Sequence, residues 1–341
     1  MGTLMSRDSR MELIRQIENR TNSRVLVYIT GDRRGLETKI AFDAFPFCLQ
    51  HLTQIGHQEK ISLYLYSTGG ITMAGYALVN LIREYCDSFD VIIPFKALSC
   101  ATLIALGADN IILSKMAQLS PIDPSVQSPL GPIPQKILPM SVQRPIPVSV
   151  EDVIGYLDLA KDQGLRSEES LVKIFEELSK KVHPLILGQV FRTRQQIVFL
   201  AKKLLSYHMQ DQEKIDHITN TLYKGRFSHD YIIGRKEAKE IGLPVKEPDS
   251  DFERDIMQLF LQYDNLLQMS TPYIPETILG TDEVSTGIFD RAIIESLELT
   301  HVYRTVKEIR RIQITPPQVP IPTIGYQEKI LNESWVADNS I

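Results

Sequence analysis

Cysteine, tryptophan and long apolar runs are what this 341-residue chain has least of: three Cys, one Trp and no unbroken hydrophobic stretch of membrane length. Cys48, Cys86 and Cys100 are odd in number and show no metal-type spacing, so neither a disulfide framework nor a zinc knuckle is expected. Reduced thiols in a cytoplasmic compartment are expected instead. No segment approaches the roughly 20 apolar residues of a membrane span, and the opening MGTLMSRDSRMELIRQIENR lacks the apolar centre of a signal peptide. Positive charge is not in excess. The 37 Lys and Arg stand against 42 Asp and Glu, a net charge of −5 that argues against a nucleic-acid partner. Neither G-x-x-x-x-G-K-[ST] nor G-x-G-x-x-G occurs, and no cofactor, metal or nucleotide site is expected.

What is present is a globular balance, 43% hydrophobic and 23% charged, compatible with two domains or one large domain with an appendage. Residues 10–20 read as a helix. RVLVYITG (Arg24 to Gly31) and KISLYLYS (Lys60 to Ser67) read as strands, each a β-branched or aromatic run. Ala74, Ala77, Leu78, Leu81 and Ile82 recur at three- and four-residue steps, a buried helical stripe. FDVIIPFKA (Phe89 to Ala97) is a third strand, Ser99 to Gly107 an apolar helix, and NIILS (Asn110 to Ser114) a fourth strand. This alternation is an α/β pattern with a mostly parallel sheet.

From Ser120 to Pro147 the chain holds eight prolines in 28 residues, which excludes helix and suits a lid, a binding loop or an assembly arm. A helical arm follows over 150–209, with Leu187, Val190, Phe191, Val198, Ala201 and Leu205 on one face of its second half. EAKEIGLPV (Glu237 to Val245) reads as a helix capped by Gly242 that leads into a short strand. Residues 248–341 read as a helical C-terminal extension with a proline-rich tail. Within it KEIRRIQI (Lys307 to Ile314) is helix-like, on a solvated face.

The stretch that bears on chemistry is LYLYSTGG (Leu63 to Gly70), with KALSCATLIALGAD (Lys96 to Asp109) after it. Ser99 stands where a buried strand gives way to a helix, so the Cys100 N–H and the helix start are beside it. Gly69 and Gly70 close the neighbouring strand, where glycine permits a turn that aims a second N–H into the same space. Adjacent βα turns of a parallel sheet lie side by side at the carboxyl ends of the strands. Two readings stand at this point: ordinary helix-capping turns, or a nucleophile with an oxyanion hole.

The runs YLYSTGGITMAGYALVNLI and KALSCATLIALGADNIIL resemble the Clp-fold serine peptidases, and within them the serine dehydrogenase proteinase family, relatives of Clp protease and signal-peptide peptidase A. LSPIDPSV, VHPLILGQVFRTRQQIVFLAKKLL and GRFSHDYIIGRKEAKEIGLPV extend the resemblance, which covers residues 24 to about 246. It implies a Clp/crotonase-type fold over 24–247, following an N-terminal helix in 1–23. It also implies Ser99 as nucleophile, with the Gly70 and Cys100 N–H groups as oxyanion hole. Peptide or protein substrates, a homo-oligomer assembled through the helical arm and a separate ATPase or regulatory partner are further implications.

The base is where this sequence departs from Clp proteases. Their histidine follows the fourth strand, and MAQLSPIDP holds none. A lysine base, as in signal-peptide peptidases, points to Lys136 between Pro134 and Leu138, with Lys161 as a second lysine; such an amine must be desolvated to be neutral near pH 7. His183 in KKVHPLILG titrates near neutrality without perturbation. Each has a plainer reading, Lys136 as a loop lysine and His183 as a helix cap or core histidine. His229 and Asp230 read as structural, and Asp123 as a turn former. Two other classes are compatible with the fold: a crotonase-like acyl-CoA enzyme, and a catalytically inactive scaffold or regulatory subunit. The proteinase family's older dehydrogenase label finds no dinucleotide turn or pyridoxal-phosphate lysine here.

Overall fold

The computed structural model describes residues 6–122, 125–126, 129–132, 146, 148–223, 231–314 and 323–341. It divides into two compact units, one made of residues 1–119 with 232–341 and the other of Ser120–Tyr231.

In the first unit α1 (Arg7–Thr21) starts at Ser6, whose side chain accepts the Ser9 N–H, and ends at Asn22 in the left-handed region. Then come β1 (Arg24–Thr30), a 3-10 turn (Phe42–Ala44) running into α2 (Phe45–Ile55), β2 (Gln58–Tyr66), α3 (Thr72–Arg83) and β3 (Cys86–Ile93). The short β4 (Lys96–Ala97) leads to α4 (Cys100–Leu106), β5 (Asn110–Leu113) and β6 (Gln118–Leu119). Chain order next passes through the second unit, with β7 (Ser125–Val126), β8 (Val148–Ser149) and four helices: α5 (Val150–Asp162), α6 (Glu168–Lys181), α7 (Pro184–Leu205) and α8 (Gln212–Tyr223). The first unit resumes with β9 (Ile233–Gly234), α9 (Arg235–Ile241), β10 (Val245–Lys246), α10 (Ser250–Leu266), α11 (Pro275–Leu279) and three long strands, β11 (Val284–Glu295), β12 (Thr300–Ile314) and β13 (Thr323–Ala337).

Among the described residues these strands form an eight-stranded sheet in the order β10-β5-β3-β2-β1-β11-β12-β13. The five from β10 to β1 run parallel, and β11, β12 and β13 add antiparallel beyond β1. Strands buried on both faces read as near-continuous hydrophobic runs, as VLVYI and LYLY do. On one face Val25, Val27, Ile29, Tyr64 and Ile92 pack against Ile14 and Ile17 of α1 and Ile256, Leu259 and Tyr263 of α10. Fully burying one such side chain contributes about 1.5–3 kcal/mol, so this double row is enough to dock both helices. Residues at alternate positions, Leu26 and Tyr28, serve the other face. There α3 and α4 approach closely at Gly75, where an added Cβ would lie 2.5 Å from Cys100 Sγ.

The expected helical extension over 248–341 is corrected by the structure. Only α10 and α11 are helical, and most of the rest is sheet. KEIRRIQI belongs to β12, with Lys307 and Ile309 buried, and the tail after the prolines is the edge strand β13. The misreading has a physical source. Val302, Val306 and Ile309 stand at i, i+4 and i+7, which imitates a helical stripe, while pairing with β11 and β13 makes Thr305, Lys307 and Ile309 one face of a strand. A buried ion pair ties this addition to the N-terminus. Arg10 Nε lies 2.8 Å from Glu295 Oε2, both side chains are at most 2% exposed, and Tyr263 and Thr300 also donate to Glu295.

The second unit is built from α5 to α8, so helix continues past the expected end at 209. Ile186, Leu187, Val190, Ile197, Ala201 and Leu204 of α7 are buried, whereas Phe191, expected on the same face, is exposed. α6, capped by Ser167, has no buried residue. No helix among the described residues is long and apolar enough to cross a membrane.

Candidate active site

The site begins at the carboxyl end of β2, where Ser67 leaves the strand. Its N–H donates to Lys96 O at 2.9 Å and its carbonyl accepts the Leu98 N–H at 3.0 Å, so β4 is drawn alongside. Ser99 follows as the residue before α4, with φ 53° and ψ −113°. A side chain rarely adopts such a backbone, which stores about 1–3 kcal/mol and is held by the surroundings. Three bonds hold it here: Ala101 N–H to Leu98 O at 2.9 Å, Leu103 N–H to Ser99 O at 3.0 Å, and Thr102 Oγ1 to Ala97 O at 2.7 Å. The effect is a sharp strand-to-helix turn that presents a half-buried serine.

Gly69 lies directly against it. With φ 116°, a Cβ on Gly69 would sit 3.0 Å from Ser99 Cβ and 3.4 Å from Ser99 Oγ. On the other side Ile40, in the segment between β1 and the 3-10 turn, clamps the glycines. Its N–H donates to Gly69 O at 2.9 Å and its carbonyl accepts the Ile71 N–H at 2.8 Å. A Cβ at Gly70 would fall 2.1 Å from Ile40 O, so only glycine permits this approach. Because Gly69 C=O and Ile71 N–H both face Ile40, the Gly70 N–H points away from Ile40. Neither that N–H nor the Cys100 N–H has a backbone carbonyl partner among the described residues. The pair of turns therefore brings Ser99 against Gly69 at the start of α4.

The family of ClpP-like SDH-type serine proteinases matches residues 3–154. Ser67, Gly69, Gly70, Ser99 and Cys100 all fall inside that span, and the α/β fold with its large, mostly parallel sheet is of Clp type. Two relatives of this chain come from Methanocaldococcus jannaschii. The uncharacterized protein MJ0137 is 27% identical over 260 residues, 74% of this chain and 79% of the relative. The uncharacterized protein MJ1495 is 26% identical over 277 residues, 78% of this chain and 81% of the relative. Both matches run well past the span of the family.

The Cys100 thiol is packed, not poised. Its Sγ donates to Ile71 O at 3.3 Å, and burial pushes its pKa up to about 12. Burial likewise raises Cys48 to about 12 and Cys86 to about 11. Lys96 stands three residues before Ser99, but its ammonium is paired with Asp32 at 2.7 Å, and Asp32 also accepts the Tyr66 hydroxyl at 2.8 Å.

The candidate bases fare differently. Lys136 lies outside the described residues, as do Asp123, His229 and Asp230. In the second unit His183 caps α7, its Nδ1 accepting the Leu185 N–H at 3.2 Å. Lys161, exposed on α5, pairs with Asp158 at 3.3 Å.

Sequence reasoning passed over Thr30, Ile40 and the Ser67 side chain. Thr30 Oγ1 donates to Ser67 Oγ at 2.7 Å, and both residues are buried. Ser67 was visible in STGG, but its partner lies 37 positions earlier and reaches it only through the parallel β1–β2 register, Ile29 beside Tyr66.

Proposed function

We propose that this protein is a serine peptidase that cleaves peptide bonds through an acyl-enzyme on Ser99. The observation that carries the reading is the left-handed Ser99 turn pressed against Gly69, with the Gly70 and Cys100 N–H groups left over beside it. The match of residues 3–154 to the ClpP-like serine proteinase family supports the reaction class and protein or peptide substrates. Ser99 Oγ adds to the scissile carbonyl carbon as its proton passes to the base. The carbonyl oxygen takes up the displaced electron pair and is held by the two N–H groups. Collapse breaks the C–N bond, and the base returns the proton to the leaving amine. Water repeats the sequence on the ester, which frees the acid and restores the hydroxyl. Lys136 and His183 are the candidates for the base.

Assembly of like chains through the second unit belongs to the same reading. Phe175 and Phe191 border an apolar pocket of about 470 Å³ lined also by Val153, Ile154, Leu157 and Leu187, a surface suited to burial against another chain.

Labelling of purified protein with a fluorophosphonate tests the chemistry. Wild type should be labelled and Ser99→Ala should not, and whichever of Lys136→Ala and His183→Ala also loses label identifies the base. A folded, assembled wild type that resists the probe would sink the peptidase reading. Coenzyme A binding would then favour an acyl-CoA enzyme, and its lack a scaffold.

A further inference from the structure

The Gly70 N–H is useful as a donor only while the Gly69–Gly70 peptide plane keeps one orientation. That plane is flanked by two glycines, whose backbones turn over with less steric resistance than any others. Something must hold it. In a planar trans peptide the C=O of one residue and the N–H of the next point in opposite directions, so fixing the Gly69 carbonyl fixes the Gly70 N–H. The carbonyl is held twice: by the Ile40 N–H at 2.9 Å and by the Ser67 hydroxyl at 3.1 Å. Ser67 Oγ also accepts the Gly69 N–H at 3.0 Å, so one hydroxyl grips both polar groups of Gly69.

The grip has its own support. Ser67 Oγ receives a 2.7 Å hydrogen bond from Thr30 Oγ1, which leaves its single proton for Gly69 O. Thr30 is 1% exposed and Ser67 0%, so water does not substitute easily for either.

We infer that Thr30 and Ser67 form a hydroxyl lock that sets the Gly69–Gly70 peptide with its Gly70 N–H turned toward Ser99, making both residues positioning residues for the oxyanion hole. This rests on the reading of Ser99 as nucleophile. The two hydroxyls touch no substrate; they act through the peptide they hold.

The test measures fluorophosphonate inactivation of the full chain, separated into kinact and KI, for wild type, Ser67→Ala, Thr30→Val and Thr30→Ser. It is paired with hydrogen exchange of the Gly69 amide. Each hydrogen bond lost should lower kinact about two- to tenfold, so Thr30→Val should slow it about twofold and Ser67→Ala, which loses both bonds to Gly69, by more. KI should stay near wild type, Thr30→Ser should restore the rate, and the Gly69 amide should exchange faster in Ser67→Ala. Variants that label at the wild-type rate, or a loss confined to KI, would overturn the lock. If wild type itself is not labelled, the parent reading fails and exchange alone decides. Unchanged exchange in Ser67→Ala then overturns the lock as well, and faster exchange upholds the hydroxyl grip on the peptide.

Discussion

Replacing Gly70 with alanine is the most direct assault on the proposed oxyanion hole, because it adds one carbon at a point where the structure has no room for it. The new Cβ would lie 2.1, 2.5 and 2.8 Å from the O, N and C atoms of Ile40, all of them backbone. Carbon atoms in contact prefer about 3.5–4 Å, so the two segments must part by about 1.5 Å. The Ile40–Gly69 and Ile71–Ile40 hydrogen bonds, 2.9 and 2.8 Å in the native protein, would then be lost. At about 1 kcal/mol each, that is about 2 kcal/mol of stability. The larger effect falls on chemistry. The Gly70 N–H moves with its strand, and losing one oxyanion donor slows acyl transfer by about 10²–10³-fold. Urea unfolding at neutral pH reads the first quantity, and the rate of fluorophosphonate labelling, taken well below the unfolding midpoint, reads the second. A Gly70→Ala protein that is folded and labels as fast as wild type would refute both the clamp and the assignment of the donor.

Three other outcomes are expected. Ser99→Gly relieves a side chain held at φ 53° and should stabilise the protein by about 1 kcal/mol while abolishing labelling; no gain in urea would mean the turn is unstrained. His51 is fully buried, with Nε2 3.0 Å from His301 Nδ1 and Nδ1 3.0 Å from Ser296 Oγ; burial first, then the neighbouring His301, lowers its pKa to about 3. An unfolded chain takes up a proton near pH 6.5 that the folded one refuses, so this contribution is complete above 6.5 and lost as pH falls toward 3. Wild type should therefore lose about 2 kcal/mol more than His51→Asn between pH 7 and 5, and parallel curves would count against it. Arg10→Met strands the Glu295 carboxylate in the core and should cost about 3–5 kcal/mol, much of it recovered by adding Glu295→Met. A cost under about 1 kcal/mol in denaturant titration would show that the pair is not desolvated.

The sequence by itself determined the parallel half of this protein. β1, β2 and β5 lie where apolar or aromatic runs meet glycine or serine, because strands buried on both faces leave an unmistakable apolar run. β3 stops before Pro94, which splits the expected run Phe89 to Ala97 into β3 and β4. The spacing of STGG and Ser99 was legible for the same reason: βα turns are local, and their glycines report the backbone they need. What only tertiary structure decided was whatever depends on a partner far along the chain. β11, β12 and β13 became sheet because β1 offers a free edge to β11 across more than 260 residues, and Val302, Val306 and Ile309 alone fit a helix as well. The side-chain role of Ser67 waited on Thr30, and the need for glycine at 70 waited on Ile40, since neither contact exists until parallel pairing and a crossing segment bring them within 3 Å. Local backbone chemistry is written in the order of residues, whereas the orientation of one peptide plane is set by atoms that only the fold brings together.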